Sequence, residues 1–298
     1  SATLLAHGRS GIVCVGDLYG GTQELLKNHC RALGIPVTFL FREEQDRLAE
    51  TLNEPGKLVY FETPANPNMA ILDIRAIAET AHQNGALVAV DNTFASPINQ
   101  KPLELGADLV LHSATKYLGG HSDLTAGALM TSASLAKPVV AWRKNLGQLI
   151  APETAALLSR SLRTLPLRVR QHNENAMAVA QAMEQHPKIT KVHYPGLPSF
   201  EGHELAKRQM TGFGGMLSIE VGGGQQAAEK VADSLKVFLL ATSLGGVESL
   251  VSQPSATSHH GLTREERLKR GIGDGMLRLS VGLEDAEDLI ADLNQALG

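Results

Sequence analysis

Six short apolar runs, separated by longer stretches of helical character, organise the first 131 residues, and this alternation limits the possible folds more than any other feature. The runs are Ile12–Gly16, Pro36–Phe41, Lys57–Glu62, Ala86–Asp91, Asp108–His112 and Ala126–Thr131. Several are continuous in Val, Leu and Ala rather than alternating in and out, as expected of strands buried on both faces of a parallel sheet. Between them, Thr22–Leu33, Glu43–Leu52, Ile71–Asn84 and Lys101–Leu105 read as helices or helical turns. The pattern predicts an open, doubly wound α/β unit whose ligand lies beyond the carboxyl ends of its strands.

The rhythm changes near Arg160–Arg170. A long helix over Val169–Gln185 leads to Val192–Tyr194 and a Pro-rich turn at Pro195–Pro198. Strand-like Met216–Val221, a helix from Gln225, Val237–Ala241, a helix near Arg264–Arg270, Leu277–Val281 and a closing helix follow. Residues 1–166 are therefore expected to form a large α/β domain, and residues 167–298 a smaller α+β domain. The arginines between Arg160 and Arg170 read as a solvated or subunit-facing helical surface, since nothing aromatic is interleaved with them.

Several function classes drop out. No apolar run approaches the roughly 18 residues that span a bilayer, which argues against a membrane partner. The 27 basic and 31 acidic residues are dispersed and sum to −4, which argues against nucleic acid as a partner. Two cysteines, Cys14 and Cys30, make no disulfide scaffold and suit a reducing cytoplasm. No export signal is legible at the front of the sequence. Gly212-Phe213-Gly214-Gly215 and Gly271–Gly275 both lack the sixth-position glycine of a dinucleotide fingerprint, and neither a P-loop nor G-x-S-x-G occurs. His259 and His260 are adjacent and would diverge, so no metal site is expected.

Three strand ends carry chemistry. Leu87-Val88-Ala89-Val90 ends in Asp91-Asn92-Thr93, and Leu109-Val110-Leu111-His112 runs into Ser113-Ala114-Thr115-Lys116-Tyr117. Upstream, Gly16-Asp17-Leu18-Tyr19-Gly20-Gly21-Thr22 sets an aromatic and glycines at a third. A lysine leaving a buried strand is partly desolvated, which lowers its pKa and makes it a usable amine nucleophile. A carboxylate on a neighbouring strand end suits a pyridinium nitrogen, and Ser113 and Thr115 supply hydroxyl donors for a phosphate.

These segments resemble the Cys/Met-metabolism (trans-sulfuration) family of pyridoxal-phosphate enzymes, which includes cystathionine γ-lyase and cystathionine γ-synthase. Glu62-Thr63-Pro64-Ala65-Asn66-Pro67, Ser243-Leu244-Gly245-Gly246-Val247-Glu248-Ser249-Leu250 and Leu277–Glu284 match the family pattern as well, in family order along nearly the whole chain. The resemblance implies a type I (aspartate-aminotransferase-like) fold with pyridoxal 5′-phosphate as cofactor. It implies that Lys116 attaches the cofactor and then shuttles protons, that Asp91 pairs with the ring nitrogen, and that Tyr19 stacks on the ring and takes the substrate's amine proton. Ser113 and Thr115 would hold the phosphate, and Asn66 would sit near the 3′-oxygen. Arg278 would clamp the substrate α-carboxylate, with Ser243 at its border and Glu248 facing the distal amino group of cystathionine.

The expected chemistry is α,γ-elimination or γ-replacement on cystathionine or an O-acyl-homoserine. Methionine γ-lyase and homoserine-ester sulfhydrylase are the alternatives within the family, and a catalytically inert scaffold is the alternative outside it. Gly21 stands where methionine γ-lyases commonly carry Cys, and Ser161 where relatives usually have Gly. The resemblance also implies paired dimers forming a homotetramer, and an arm and phosphate loop that in relatives precede the segment Ser1-Ala2-Thr3-Leu4-Leu5.

Overall fold

The computed structural model describes residues 1–298. Each of the six expected runs forms a strand: β1 (Ile12–Val15), β2 (Val37–Leu40), β3 (Leu58–Glu62), β4 (Leu87–Asp91), β5 (Leu109–Ser113) and β6 (Gly127–Thr131). They form one sheet in the order β2-β1-β3-β4-β5-β6. Its first five strands are mutually parallel, and β6 closes the edge antiparallel to β5.

The continuous apolar runs have a direct cause in two-sided burial. Val13, Val15, Val59, Phe61, Val88, Val90 and Val110 pack on one face against the helix Ile74–Gln83. Ile12, Cys14, Leu58, Tyr60, Ala89 and Leu109 pack on the other face with Leu4 and Leu26. Asp73 caps the helix through the Ala76 N–H, at 3.1 Å.

The intervening helices are less regular than the sequence suggests. Thr22–Leu33 resolves into an α-helical turn, Gly20–Glu24, and a π-helical stretch, Leu25–Cys30. Glu43–Leu52 is a 3₁₀ segment, Arg42–Arg47, followed by one α-turn, Leu48–Thr51. Two helices absent from the sequence reading, Ala133–Asn145 and Pro152–Leu162, follow β6.

A second sheet contains β7 (Ile189–His193), β8 (Met216–Val221), β9 (Leu239–Leu240), β10 (Leu250–Ser252) and β11 (Met276–Ser280). Its order is β7-β8-β11-β10-β9, antiparallel except for the β9–β10 pair. Helices Leu165–Glu184, Gly224–Ser234 and Ala286–Leu297 line its core, where Val179, Met183, Leu217, Ile219, Leu277, Leu279, Leu289 and Leu293 are all buried. Asp292, on the last helix, accepts the backbone N–H groups of Lys236, Val237 and Phe238 at 2.8–3.0 Å and so fixes the approach to β9. No helix is long and apolar enough to cross a membrane.

The arginine-rich segment needs a correction. Arg160, Arg163 and Arg170 are exposed as expected, but Arg168 is buried. Its guanidinium donates to the carbonyls of Tyr117 (2.8 Å) and Ser161 (2.9 Å) and to Thr164 Oγ1 (3.1 Å). A planar fork with several donors can satisfy carbonyls pointing in different directions, which a solvated surface residue would not be asked to do.

Candidate active site

The parallel arrangement of β1, β3, β4 and β5 brings their carboxyl ends to one edge, where Tyr19, Glu62, Asp91, Ser113 and Lys116 follow or end the strands. Lys116 sits in a tight turn: its N–H donates to Ser113 O at 3.1 Å, and its carbonyl accepts from Gly120 N–H at 2.7 Å. Lys116 Nζ donates to Ser243 Oγ at 2.7 Å. Burial, and then the nearby charge of Arg278, pull the ammonium below the ordinary lysine range. Ser243 adopts φ 87, a left-handed conformation costly for a serine and of a kind that clusters at ligand-holding loops.

Arg278 reaches the same place from the second sheet. It lies on β11, only 7% exposed, and donates to Asn66 Oδ1 at 3.0 Å and to the Ser243 carbonyl at 2.9 Å. Its Nε has no partner, and no carboxylate forms an ion pair with it. Burial pulls the guanidinium down to about 10, with the Tyr19 and Tyr117 phenols acting in the opposite direction. A buried cation bonded only to neutral acceptors is a receptor for an anion.

The opposite charge stands across the site. Asp91 Oδ1 accepts from Thr93 N–H at 3.0 Å and from Thr93 Oγ1 at 2.5 Å, while Thr93 Oγ1 accepts from Ser113 N–H at 2.9 Å. Burial raises the Asp91 carboxyl, and the Thr93 and Tyr60 donors partly offset this. Glu62, to which the sequence reading gave no role, is paired with Asp91 in the sheet register and accepts the Tyr19 N–H at 2.9 Å. Thr93 likewise has no role assigned by the sequence pattern. Both residues stand in the quoted segments, but their contacts depend on strand register.

The remaining expected residues divide. Tyr19 is 56% exposed at the start of the helix Gly20–Glu24, and a Cβ on Gly21 would lie 2.8 Å from its ring. The Ser113 hydroxyl is free within the chain, whereas Thr115 Oγ1 donates to Ala126 O at 3.3 Å and accepts from Ala126 N–H at 3.1 Å. Glu248 has no hydrogen bond within this cluster. It accepts a hydrogen bond from Ser122, on the loop beyond Gly120, and makes none to Lys116, Asp91 or Arg278. A cavity of about 530 Å³, lined in part by Asp17, Ala65, Asn68, His193 and Arg270, is a separate feature: Lys116, Asp91, Arg278, Ser243 and Tyr19 do not line it.

The family described as Cys/Met metabolism PLP-dependent enzyme matches residues 1–298. The L-methionine gamma-lyase of Fusobacterium nucleatum subsp. polymorphum is 43% identical over 302 residues, covering 100% of this chain and 76% of that protein. The cystathionine gamma-lyase of Bacillus subtilis (strain 168) is 42% identical over 295 residues, covering 99% of this chain and 78% of its own length. The crystal structure of cystathionine gamma synthase from Xanthomonas oryzae pv. oryzae in complex with cystathionine superposes with a TM-score of 0.94 at 45% identity, covering 99% of this chain and 77% of that one.

Proposed function

Because the chain belongs to the Cys/Met-metabolism family of pyridoxal-phosphate-dependent enzymes, we propose that it catalyses α,γ-elimination or γ-replacement on cystathionine or an O-acyl-homoserine. The observation that carries this reading is the bipolar site. Arg278, a buried cation without an acidic partner, is tied through Ser243 to the amine of Lys116, while Asp91 waits on the adjoining strand end. The residues present fit the cofactor: an amine for its aldehyde, a half-buried carboxylate for its ring nitrogen and a free hydroxyl for its phosphate. When bound, pyridoxal phosphate supplies an electron sink that lets the substrate's Cα–H bond ionise.

The chain's own residues do the rest. Lys116 anchors the cofactor and, once freed, carries a proton away from Cα, a task favoured by its lowered pKa. Asp91, oriented by Thr93, keeps the ring nitrogen protonated. Ser113 and Thr115 hold the phosphate, with Ser113 the better placed because its hydroxyl is uncommitted. Arg278 grips the substrate α-carboxylate with Ser243 beside it, and Asn66, whose Oδ1 is engaged by Arg278, keeps its amide N–H groups for the 3′-oxygen. Tyr19, at the open side, stacks on the ring and accepts the amine proton.

A methionine γ-lyase is the second reading, favoured by the 43% identity to the Fusobacterium enzyme. Gly21 weighs against it, since it stands where methionine γ-lyases commonly carry Cys. Incubation with cystathionine, with O-acyl-homoserine plus cysteine, and with methionine separates the two readings. Release of 2-oxobutyrate from methionine at least as fast as from cystathionine would overturn the first.

We further propose paired dimers forming a homotetramer. Leu149, Ile150, Leu162 and Leu167 stand exposed on and around the helices between the two sheets, which suits association of copies, and light scattering of the purified protein tests it. Cys14 and Cys30, free and buried, fit a reducing cytoplasm.

A further inference from the structure

We propose that Glu62 is a positioning residue that works as a neutral carboxylic acid, holding the Tyr19 loop while leaving Asp91 as the single negative charge offered to the cofactor ring. The inference rests on the function proposed above and adds to it a residue and its protonation state.

Glu62 and Asp91 are partners in the β3–β4 register, at the ends of adjacent parallel strands. Adjacent strands lie roughly 4.8 Å apart, and paired residues project to the same face of the sheet. Glu62 is 6% exposed, and its one hydrogen bond is the N–H of Tyr19. The titratable groups acting on it are Asp91 on β4, Asp17 on the loop after β1, Tyr60 two residues back on β3, and Cys14 on β1. None of them is a cation. Asp17 itself is paired with Arg270, at 3.1 Å.

Two carboxylates side by side, Glu62 buried and Asp91 half-buried, do not both ionise readily, because the charges repel and the buried one is unsolvated. The donors decide which one keeps its charge. Asp91 is served by the Thr93 N–H and hydroxyl, whereas Glu62 has a single backbone donor. The proton therefore resides on Glu62, whose carboxyl burial pushes well above the usual range. A neutral acid still accepts from Tyr19 N–H, so the loop carrying the ring-stacking tyrosine is held without a second negative charge beside the first.

The test compares the holoenzyme with Glu62→Gln, which keeps a neutral acceptor of the same size, and Glu62→Ala, which removes it. Infrared difference spectra at neutral pH should show the carbonyl band of a protonated buried carboxyl in the wild type and not in Glu62→Gln. Pyridoxal-phosphate release should be about tenfold faster in Glu62→Ala and within about threefold of wild type in Glu62→Gln, since an unmade buried hydrogen bond costs on that scale. An unchanged infrared band in Glu62→Gln, or release from Glu62→Gln as fast as from Glu62→Ala, overturns the proposal. If Glu62→Ala does not fold, the infrared comparison decides alone. Failure to fix the cofactor on Lys116 with borohydride would sink the functional reading while leaving the infrared result intact, so the two failures are distinguishable.

Discussion

The Arg168 guanidinium occupies the space that a side chain on Gly120 would need: a Cβ built there lies 1.8 Å from Nη1. Gly120 also has φ +71, and its N–H closes the Lys116 turn. Gly120→Ala therefore pays the left-handed penalty and evicts a buried cation from the Tyr117 and Ser161 carbonyls. A loss of about 3 kcal/mol in urea unfolding is expected, from ~1–2 for the backbone and the remainder from the broken charged hydrogen bonds. A change under half that size would mean that Arg168 finds equally good acceptors elsewhere.

Arg278→Lys should raise KM for the amino-acid substrate by about 10–100-fold while the visible absorption of the bound cofactor persists. The fork that spans Asn66 Oδ1 and the Ser243 carbonyl cannot be copied by a point-like ammonium, and a charged hydrogen bond is worth about 1.5–3 kcal/mol. Steady-state kinetics read this directly, and an unchanged KM would remove Arg278 from the carboxylate grip.

Competitive acetylation of the cofactor-free protein, followed by peptide mass spectrometry, should give Lys116 a titration midpoint below the ordinary lysine range. Burial is the larger cause and Arg278 the second, so Arg278→Gln should move the midpoint upward. The folded-state pKa lies below the unfolded one, so protonated Lys116 costs stability; the cost is full below the folded value, shrinks as pH rises past it and is gone only above the unfolded value. Lys116→Met should accordingly stabilise the cofactor-free protein at neutral pH and lose that advantage in alkali.

Asp292 supplies an acid-side test. Burial pushes its carboxyl up, but the N–H groups of Phe238, Val237 and Lys236, with Gln295, hold it below the ordinary aspartate range. Its contribution is complete above the unfolded aspartate pKa and is lost as pH falls through the folded value. Asp292→Ala should cost about 2–3 kcal/mol at pH 7 and flatten the acid limb of the stability curve measured by urea unfolding. An acid limb identical to wild type would place the fall in stability on other carboxylates.

Much of the first sheet was legible because a strand buried on both faces leaves a continuous apolar run, and all six runs became strands. Their direction was not legible: nothing in Ala126–Thr131 says that β6 runs against β5. Leu250–Ser252 hid inside the Ser243–Leu250 motif and beyond it, being too short for any periodicity. The burial of Arg168 was invisible because charge patterning reads helix faces without knowing what packs on them. Lys116, Asp91 and Arg278 stood out by strand-end position or family motif. Thr93 and Glu62 did not, since the role of each is a contact with a neighbouring strand or loop. Glu248 stood out by motif alone, and the contact it makes, with Ser122, was equally invisible in the sequence.

The bond between Arg278 and Asn66 joins residues 212 positions apart in sequence. Contacts of such separation are entropically late, and a chain leaving the ribosome completes its N-terminal portion first. A nascent polypeptide therefore owns Lys116, Asp91 and Glu62 long before β11 exists to deliver the anion grip. Synthesis order thus separates the two halves of the cluster: the amine of Lys116 is made first, and the guanidinium that joins it through Ser243 is made 162 residues later.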